Sequence, residues 1–394
     1  MVRIQPQNAI SWGYLGDSQI AANELEKAKE HFTQAVHLAP TYEYASGRLL
    51  DILVHLKNWD EAKAMLDFVT PHLSPEWVVS EKARIAALSG DREVAFEMLN
   101  KLADIPSESH DAIDNAVSSI YTAGWGDETM NFLNKKIDQP DALPGVAFVY
   151  VHLTTSLNQW DQCEQKINSL RSRPQLWEAA AQKYMVEVCT CREFNQQHRI
   201  DPFIANNEQA LRNSTKMWER VGSALCQGEM DAKVCDFMSD WRSRKDVSAW
   251  GLYSLAFSLW AQKKEAEADQ VSRHAIEQCG LDATTGHHMI FAALYQVIYG
   301  SPEVAFQLIR DVDPKNMNDY FRHNYEQIIC VLQNLGTDGS YAQLRDQLKT
   351  MFNSRDPETK KNPGTLRIYN LVQYAAARLH GKKFRAMGWK LKAK

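Results

Sequence analysis

The chain has 394 residues, 44% of them hydrophobic and 24% charged, and a net charge of −5. No apolar run approaches the roughly 20 residues that a membrane-spanning helix needs, and Met1–Ile10 has no apolar core of the signal-peptide kind. Six cations and no acid fall in Gly381–Lys394; removing that +6 leaves the body at −11, which excludes the body as a nucleic-acid binder on charge.

In chain order, Ala9–Ala21 and Glu26–Leu38 read as a pair of antiparallel helices. Trp12, Leu15 and Ile20 fall near helical spacing and share one stripe. Gly16 and Ala28 are small and allow two helix axes to come close. Trp12 and Phe32 are expected to fill the space between this pair and the next, and Pro40 cannot continue a helix. The scheme recurs with Leu49, Trp59, Ala62 and Leu66 around the turn Lys57-Asn58-Trp59-Asp60. It recurs again with Ala83, Ala95 and Leu99 around Ser89-Gly90-Asp91, with Val117, Gly124 and Leu133, and with Cys163 and Ile167 after Leu157-Asn158-Gln159-Trp160. Unit starts at Ala9, Glu43, Glu76, His110 and Pro144 are spaced by 34, 33, 34 and 34 residues. The period breaks after Cys191, and Asn195–Ser214, polar and holding Pro202, reads as a loop or a short irregular helix. Helical pairs resume at Met217–Leu225 with Asp231–Trp241, Trp250–Trp260 with Glu265–Glu277, His288–Tyr299 with Glu303–Val312, and Tyr320–Leu335 with Ala342–Phe352. After a polar linker, Leu366–His380 is expected to cap the open end.

Pro6, Trp12, Leu15, Gly16, Ala28, Phe32, Ala35 and Pro40, with the two prolines 34 apart, resemble the tetratricopeptide repeat signature. Gln19 departs from it, standing where the family usually has Tyr. The resemblance is specific over 6–174 and looser over 214–352. It implies an all-α fold: a right-handed superhelical solenoid of about nine helical hairpins plus a C-terminal cap helix. The expected layout is a regular array over 1–191, an irregular insert over 192–213, a degenerate array over 214–352, and a linker, capping helix and basic tail over 353–394.

The resemblance also implies a protein–protein interaction scaffold or adaptor rather than an enzyme, binding a peptide segment or partner protein on the concave face lined by the first helix of each pair. By alignment that face carries Tyr14, Asp17, Tyr44, Arg48, Asp51, His55, Trp77, Arg84, Asp114, Tyr121, Phe148 and His152. Exposed aromatics among charges suit peptide contact, and packing between units is the competing reading for Trp77 and Phe148. Members that clamp an acidic C-terminal carboxylate use Lys and Asn where this chain has Gly13 and Asp17. An Asp there repels a carboxylate, so a basic or neutral partner is expected. The alternative is that the array recruits substrates for a larger enzyme whose catalytic domain lies upstream.

Seven cysteines, mostly on apolar helix faces, point to reduced thiols and a cytoplasmic setting. Cys189, Cys191 and His198, with His287 and His288, lack the paired spacing of zinc modules, so no metal or cofactor is expected. No phosphate-binding glycine loop, nucleophile elbow or calcium loop is present. The basic tail, with Phe384, Met387, Trp389 and Leu391 among its cations, has the composition for an anionic membrane or nucleic acid. A solvated, frayed terminus is the expectation.

Overall fold

A computed structural model describes residues 6–107, 110–191, 194–279, 287–310, 312, 319–335, 340–355, 360, 363–382, 386 and 389. Among them the regular elements are twenty-one α-helices and two short 3-10 helices, with no strand. No helix there is long and apolar enough to cross a membrane. Two compact units are present, Met1–Tyr184 and Met185–Lys394, and the division falls within α11 (Pro174–Thr190).

The first unit is built from five pairs in succession. They are α1 (Ala9–Ala21) with α2 (Leu25–Leu38), α3 (Glu43–His55) with α4 (Trp59–Val69), α5 (Pro75–Ser89) with α6 (Arg92–Ala103), α7 (Asp111–Thr122) with α8 (Gly126–Ile137), and α9 (Pro144–Ser156) with α10 (Trp160–Ser169). Each helix packs on the one that follows it, within a pair and from pair to pair. Local chemistry starts several of them. The Asn8 side chain accepts from Ile10 and Ser11 N–H at the head of α1, and Ser74 caps α5 with Pro75 behind it.

One device closes the first helix of every pair. Asn23, Lys57, Gly90, Gly124 and Asn158 all adopt positive φ, between 57° and 94°. Their spacing is again 34, 33, 34 and 34. The residue after each donates its N–H back five residues, as in Asn58 N to Leu53 O at 2.8 Å and Asp91 N to Ala86 O at 2.8 Å. This is the left-handed helix stop that satisfies a terminal carbonyl and reverses the chain. Asn and Gly hold that conformation at low cost, which is why the turns were legible.

Buried positions follow the sequence pattern. Ala28, Phe32, Ala62, Ala83, Ala95, Leu99, Leu133, Cys163 and Ile167 are completely buried, and Leu66 nearly so. One expectation changes. The close approach at Gly16 is made to Phe32 rather than to a second small residue: a Cβ at Gly16 would lie 2.5–2.8 Å from three atoms of the Phe32 ring. The missing side chain is the socket for that ring. Trp12 and Trp77 are partly buried against the same core.

The second unit holds α12 (Ile200–Asn213), α13 (Thr215–Gln227) with α14 (Asp231–Phe237), α15 (Ala249–Ala261) with α16 (Glu265–Cys279), α17 (His287–Tyr299) with α18 (Pro302–Ile309), α19 (Asp319–Gln333) with α20 (Tyr341–Asn353), and α21 (Pro363–Leu379). The segment expected as a loop or short irregular helix is instead the 14-residue α12, preceded by a 3-10 turn over Gln197–Arg199. Pro202 is its third residue, where a missing N–H has no intrahelical partner to lose. Ile200, Phe203 and Leu211 supply its buried stripe. Left-handed stops of the same kind follow α13 at Glu229 and α15 at Lys263, where Met230 N and Lys264 N donate to Leu225 O and Leu259 O at 2.9 Å; Asn195 shares the positive φ. The step from Asn158 to Asn195 is 37 residues, and the next two are 34. The period therefore slips by three residues and resumes.

The terminal helix α21 packs on α17, α19 and α20. The tail beyond it departs from a frayed terminus where it is described. Ala386 is buried, and Trp389 donates its indole N–H to the Tyr341 hydroxyl at 3.1 Å and packs edge-on to Tyr369. Phe384, Met387 and Leu391 lie outside the described residues.

Candidate functional site

Three short polar links join the first helices of successive pairs in the first unit. The Tyr44 hydroxyl on α3 donates to Asp17 on α1, 2.9 Å from each carboxylate oxygen, and Arg48 Nε stands 3.4 Å from the same carboxylate. Arg84 on α5 donates through Nη1 to Asp51 on α3 at 3.0 Å and through Nε to Glu81 in its own helix at 2.7 Å. His152 Nδ1 on α9 lies 2.5 Å from Asp114 Oδ1 on α7. Each acid thus meets a partner from the next first helix, about one repeat along the chain. Similar pairs join second helices, the second of them through the residue that follows α6. Lys29 pairs with Glu61 at 2.9 Å, and Lys136 with Asp104 at 2.7 Å.

These links set the electrostatics. Burial, helped by the hydrogen bond to Asp17 and its charge, raises the Tyr44 phenol well above its ordinary value. Burial also raises Glu81 above the usual carboxylate range, opposed by Arg84 through charge and hydrogen bonding. Asp17, Asp51 and Asp114 are among the charged residues expected on the face of the first helices. In the fold all three carboxylates are engaged by neighbours.

The expected residues divide accordingly. Asp17, Tyr44 and Arg48 form one group, Asp51 and Arg84 a second, Asp114 and His152 a third. Tyr14 and Tyr44 remain 60% and 45% exposed, so both rings keep surface for contact. Asp51 and His55 are also exposed. Trp77 packs against the first core, as its competing reading held. Phe148 is partly buried, with the His110 ring 4.7 Å away and Lys183 Nζ 4.9 Å from its centroid. Tyr121 is exposed but lies across the backbone of Gly126, where a Cβ would meet its ring at 2.7 Å. Tyr121 also borders an open, largely polar groove with Asn131, Asn134, Gln159 and Gln162. Sequence reasoning missed Glu81, His110 and Lys183. The first had a signal, since it stands three residues before Arg84 on one helical face; the others had none.

At the carboxylate-clamp position, Gly13 is buried, and a Cβ there would be in van der Waals contact with the Tyr42 ring and hydroxyl at 3.4 Å. Among the described residues no three His, Cys, Asp or Glu side chains converge as a metal site. Burial pushes the Cys189 thiol up to about 12, which disfavours the thiolate a metal needs. The side chains of His287 and His288 lie outside the described residues.

Comparison with known families matches residues 4–72 to the tetratricopeptide repeat. No curated protein matches the chain. Among solved structures, Naa15/Naa10 bound to HypK-THB is similar at 11% identity over 100% of this chain and 71% of that chain, with a TM-score of 0.29. The P58(IPK) TPR domain is similar at 14% identity over 98% of this chain and 97% of that chain, with a TM-score of 0.25.

Proposed function

We propose, for a chain that belongs to the tetratricopeptide repeat family through residues 4–72, that the first unit captures a segment of another protein on the face formed by α1, α3, α5, α7 and α9. This fold is generally used for protein–protein interaction. The observation that carries the reading is the pair of half-exposed rings, Tyr14 and Tyr44, standing beside the polar links between first helices. Such links fix the side chains before a partner arrives, so less ordering entropy is lost on binding. The rings supply contact area and the engaged carboxylates supply orientation. A basic or neutral segment fits best. Asp51 keeps half its side-chain surface open, while a carboxylate terminus would meet Asp17 where the clamp-type members place a cation or amide.

The test is the combined substitution Tyr44→Ala, Asp51→Ala, His55→Ala, with partner capture and far-UV circular dichroism measured together. Capture is expected to fall at least about tenfold, since two or three central contacts carry most interface energy, with helicity unchanged. Undiminished capture by a fully helical variant refutes this face as the site.

A further inference from the structure

We propose that the groove between the second helices α8 and α10 binds an extended peptide segment of another protein, one without acidic side chains, by hydrogen bonding to its main chain. The site lies in the first unit but is built on second helices, so it does not depend on the face proposed for the first helices.

Earlier second helices are bridged by their side chains. Lys29 of α2 meets Glu61 of α4 at 2.9 Å, Arg92 of α6 donates to Glu128 of α8 at 2.6 Å, and Lys136 of α8 donates to Asn100 of α6 at 3.2 Å. One repeat of 34 residues later the partners change. Gly126 stands in the register of Arg92, Gln162 in that of Glu128, and Leu170 in that of Lys136. The charged bridge at the head of the two helices is thereby lost. Asn134, the counterpart of Asn100, has no side-chain hydrogen bond among the described residues. Lys166 still meets Asp138, the residue after α8, at 2.8 Å, which ties the helices at that end. Between them a groove of about 760 Å³ opens, within the range that bound ligands fill. Gly126 also leaves room for the Tyr121 ring, which a Cβ would meet at 2.7 Å; the ring borders the groove and is 40% exposed.

The lining selects the occupant. Asn131 and Asn134 of α8 face the groove with Gln159, the residue before α10, and Gln162 within it. A carboxamide carries a donor and an acceptor, and so does each peptide unit of an extended chain. Asn131, Asn134 and Gln159 have no side-chain hydrogen bond among the described residues. Gln162 donates to the Tyr150 hydroxyl at 3.3 Å, and its own oxygen is unclaimed among them. Asp127 and Asn134 stand one heptad apart on α8, about 10 Å along the axis, the length of about three extended residues. Asp127 is the one charge in the described lining, so it repels an acidic side chain and attracts a basic one. Tyr121 offers a ring face to an apolar side chain. Contacts made to the main chain tolerate many sequences, so the site reads conformation and charge before side-chain identity.

The probe is a blocked hexapeptide of alternating serine and valine with a C-terminal lysine, titrated into the isotope-labelled full chain. The side-chain amide signals of Asn131, Asn134, Gln159 and Gln162 are followed by nuclear magnetic resonance, and they should shift to saturation. The same peptide methylated on alternate main-chain nitrogens loses donors along one edge and should bind at least about tenfold more weakly. Asn131→Ala combined with Asn134→Ala should weaken the unmodified peptide at least about tenfold, with far-UV circular dichroism unchanged. Tyr44→Ala, Asp51→Ala, His55→Ala should leave its binding as it was. Unmoved amide signals at millimolar peptide overturn the proposal, as does equal affinity for the methylated peptide. Shifts produced by maltohexaose and not by the peptide overturn it in favour of a saccharide. Binding lost in the first-helix variant and kept in the double asparagine variant places the probe on the other face and overturns it as well. The wild-type titration and the methylated peptide decide the matter without any variant having to fold.

Discussion

Arg84→Ala should destabilise the first unit, and the loss should depend on pH in a direction the structure fixes. Arg84 joins a half-exposed Asp51 to a Glu81 side chain that is 12% exposed. The exposed arm is worth less than about 1 kcal/mol. The larger effect is the stranded carboxylate, for which an unpaired, mostly buried group costs about 1–3 kcal/mol. A total near 2 kcal/mol at pH 7 follows. Glu81 already holds its proton more tightly than an unfolded glutamate, because burial outweighs Arg84. Its folded pKa therefore lies above its unfolded value. The native state keeps a proton that the unfolded chain has released, and stability falls as pH rises from the unfolded pKa through the folded one. Removing Arg84 raises the folded pKa further and widens that window, so the deficit should be smaller at pH 5 than at pH 7 by about 1 kcal/mol. Urea unfolding at both pH values, with hydrogen exchange on α3 and α5 to localise the change, reads this. Adding Glu81→Gln to Arg84→Ala should recover about 1 kcal/mol at pH 7, since the amide carries no charge to strand. A deficit equal at both pH values and untouched by Glu81→Gln would show that Arg84 acts through packing alone.

Gly16→Ala should destabilise the first pair by about 1–2 kcal/mol, because overpacking against Phe32 outweighs the helix-propensity gain of roughly 1 kcal/mol; Gly16→Ala with Phe32→Leu should be milder, and a raised melting temperature for the single variant would contradict the socket. Ser340→Ala removes the half of the capping box in which the Ser340 hydroxyl accepts from Gln343 N–H, leaving the Ser340 N–H on Gln343 Oε1, and should cost about 1 kcal/mol, seen as faster exchange in the first turn of α20. Cys189, its thiol pushed up to about 12 by burial, should resist iodoacetamide at pH 8 in the native chain and react once the chain is unfolded; peptide mapping showing native-state labelling would place it at the surface.

The paired helices of the first unit were legible because spacing and local chemistry agree there. Asn and Gly stand at most of the left-handed stops, small residues at Ala28, Ala62, Ala83 and Ala95, and capping residues at Asn8, Ser74 and Asp91. The segment 200–213 was misread because Pro202 and a polar composition imitate a loop, although a proline in the first turn breaks nothing. The positive φ at Glu229 and Lys263 was hidden because these residue types carry no turn signature, although the local back-bonds Met230 N to Leu225 O and Lys264 N to Leu259 O are the same as at the Asn and Gly stops.

The sequence by itself determined most of the helical pairs, where most of them reverse, and the main buried positions of the first unit, because those follow from periodicity and from backbone preferences acting over a few residues. Only the tertiary structure decided what the charged residues do. Asp17 meets Tyr44 and Arg48, Asp51 meets Arg84, and Asp231 meets Arg367 across 136 residues. The acids expected on one face of the first unit become a set of engaged pairs, and the terminal helix adds apolar side chains to the core of the second unit. Pairing between neighbouring helices depends on distances of a few ångströms that stacking sets, and no local preference encodes them.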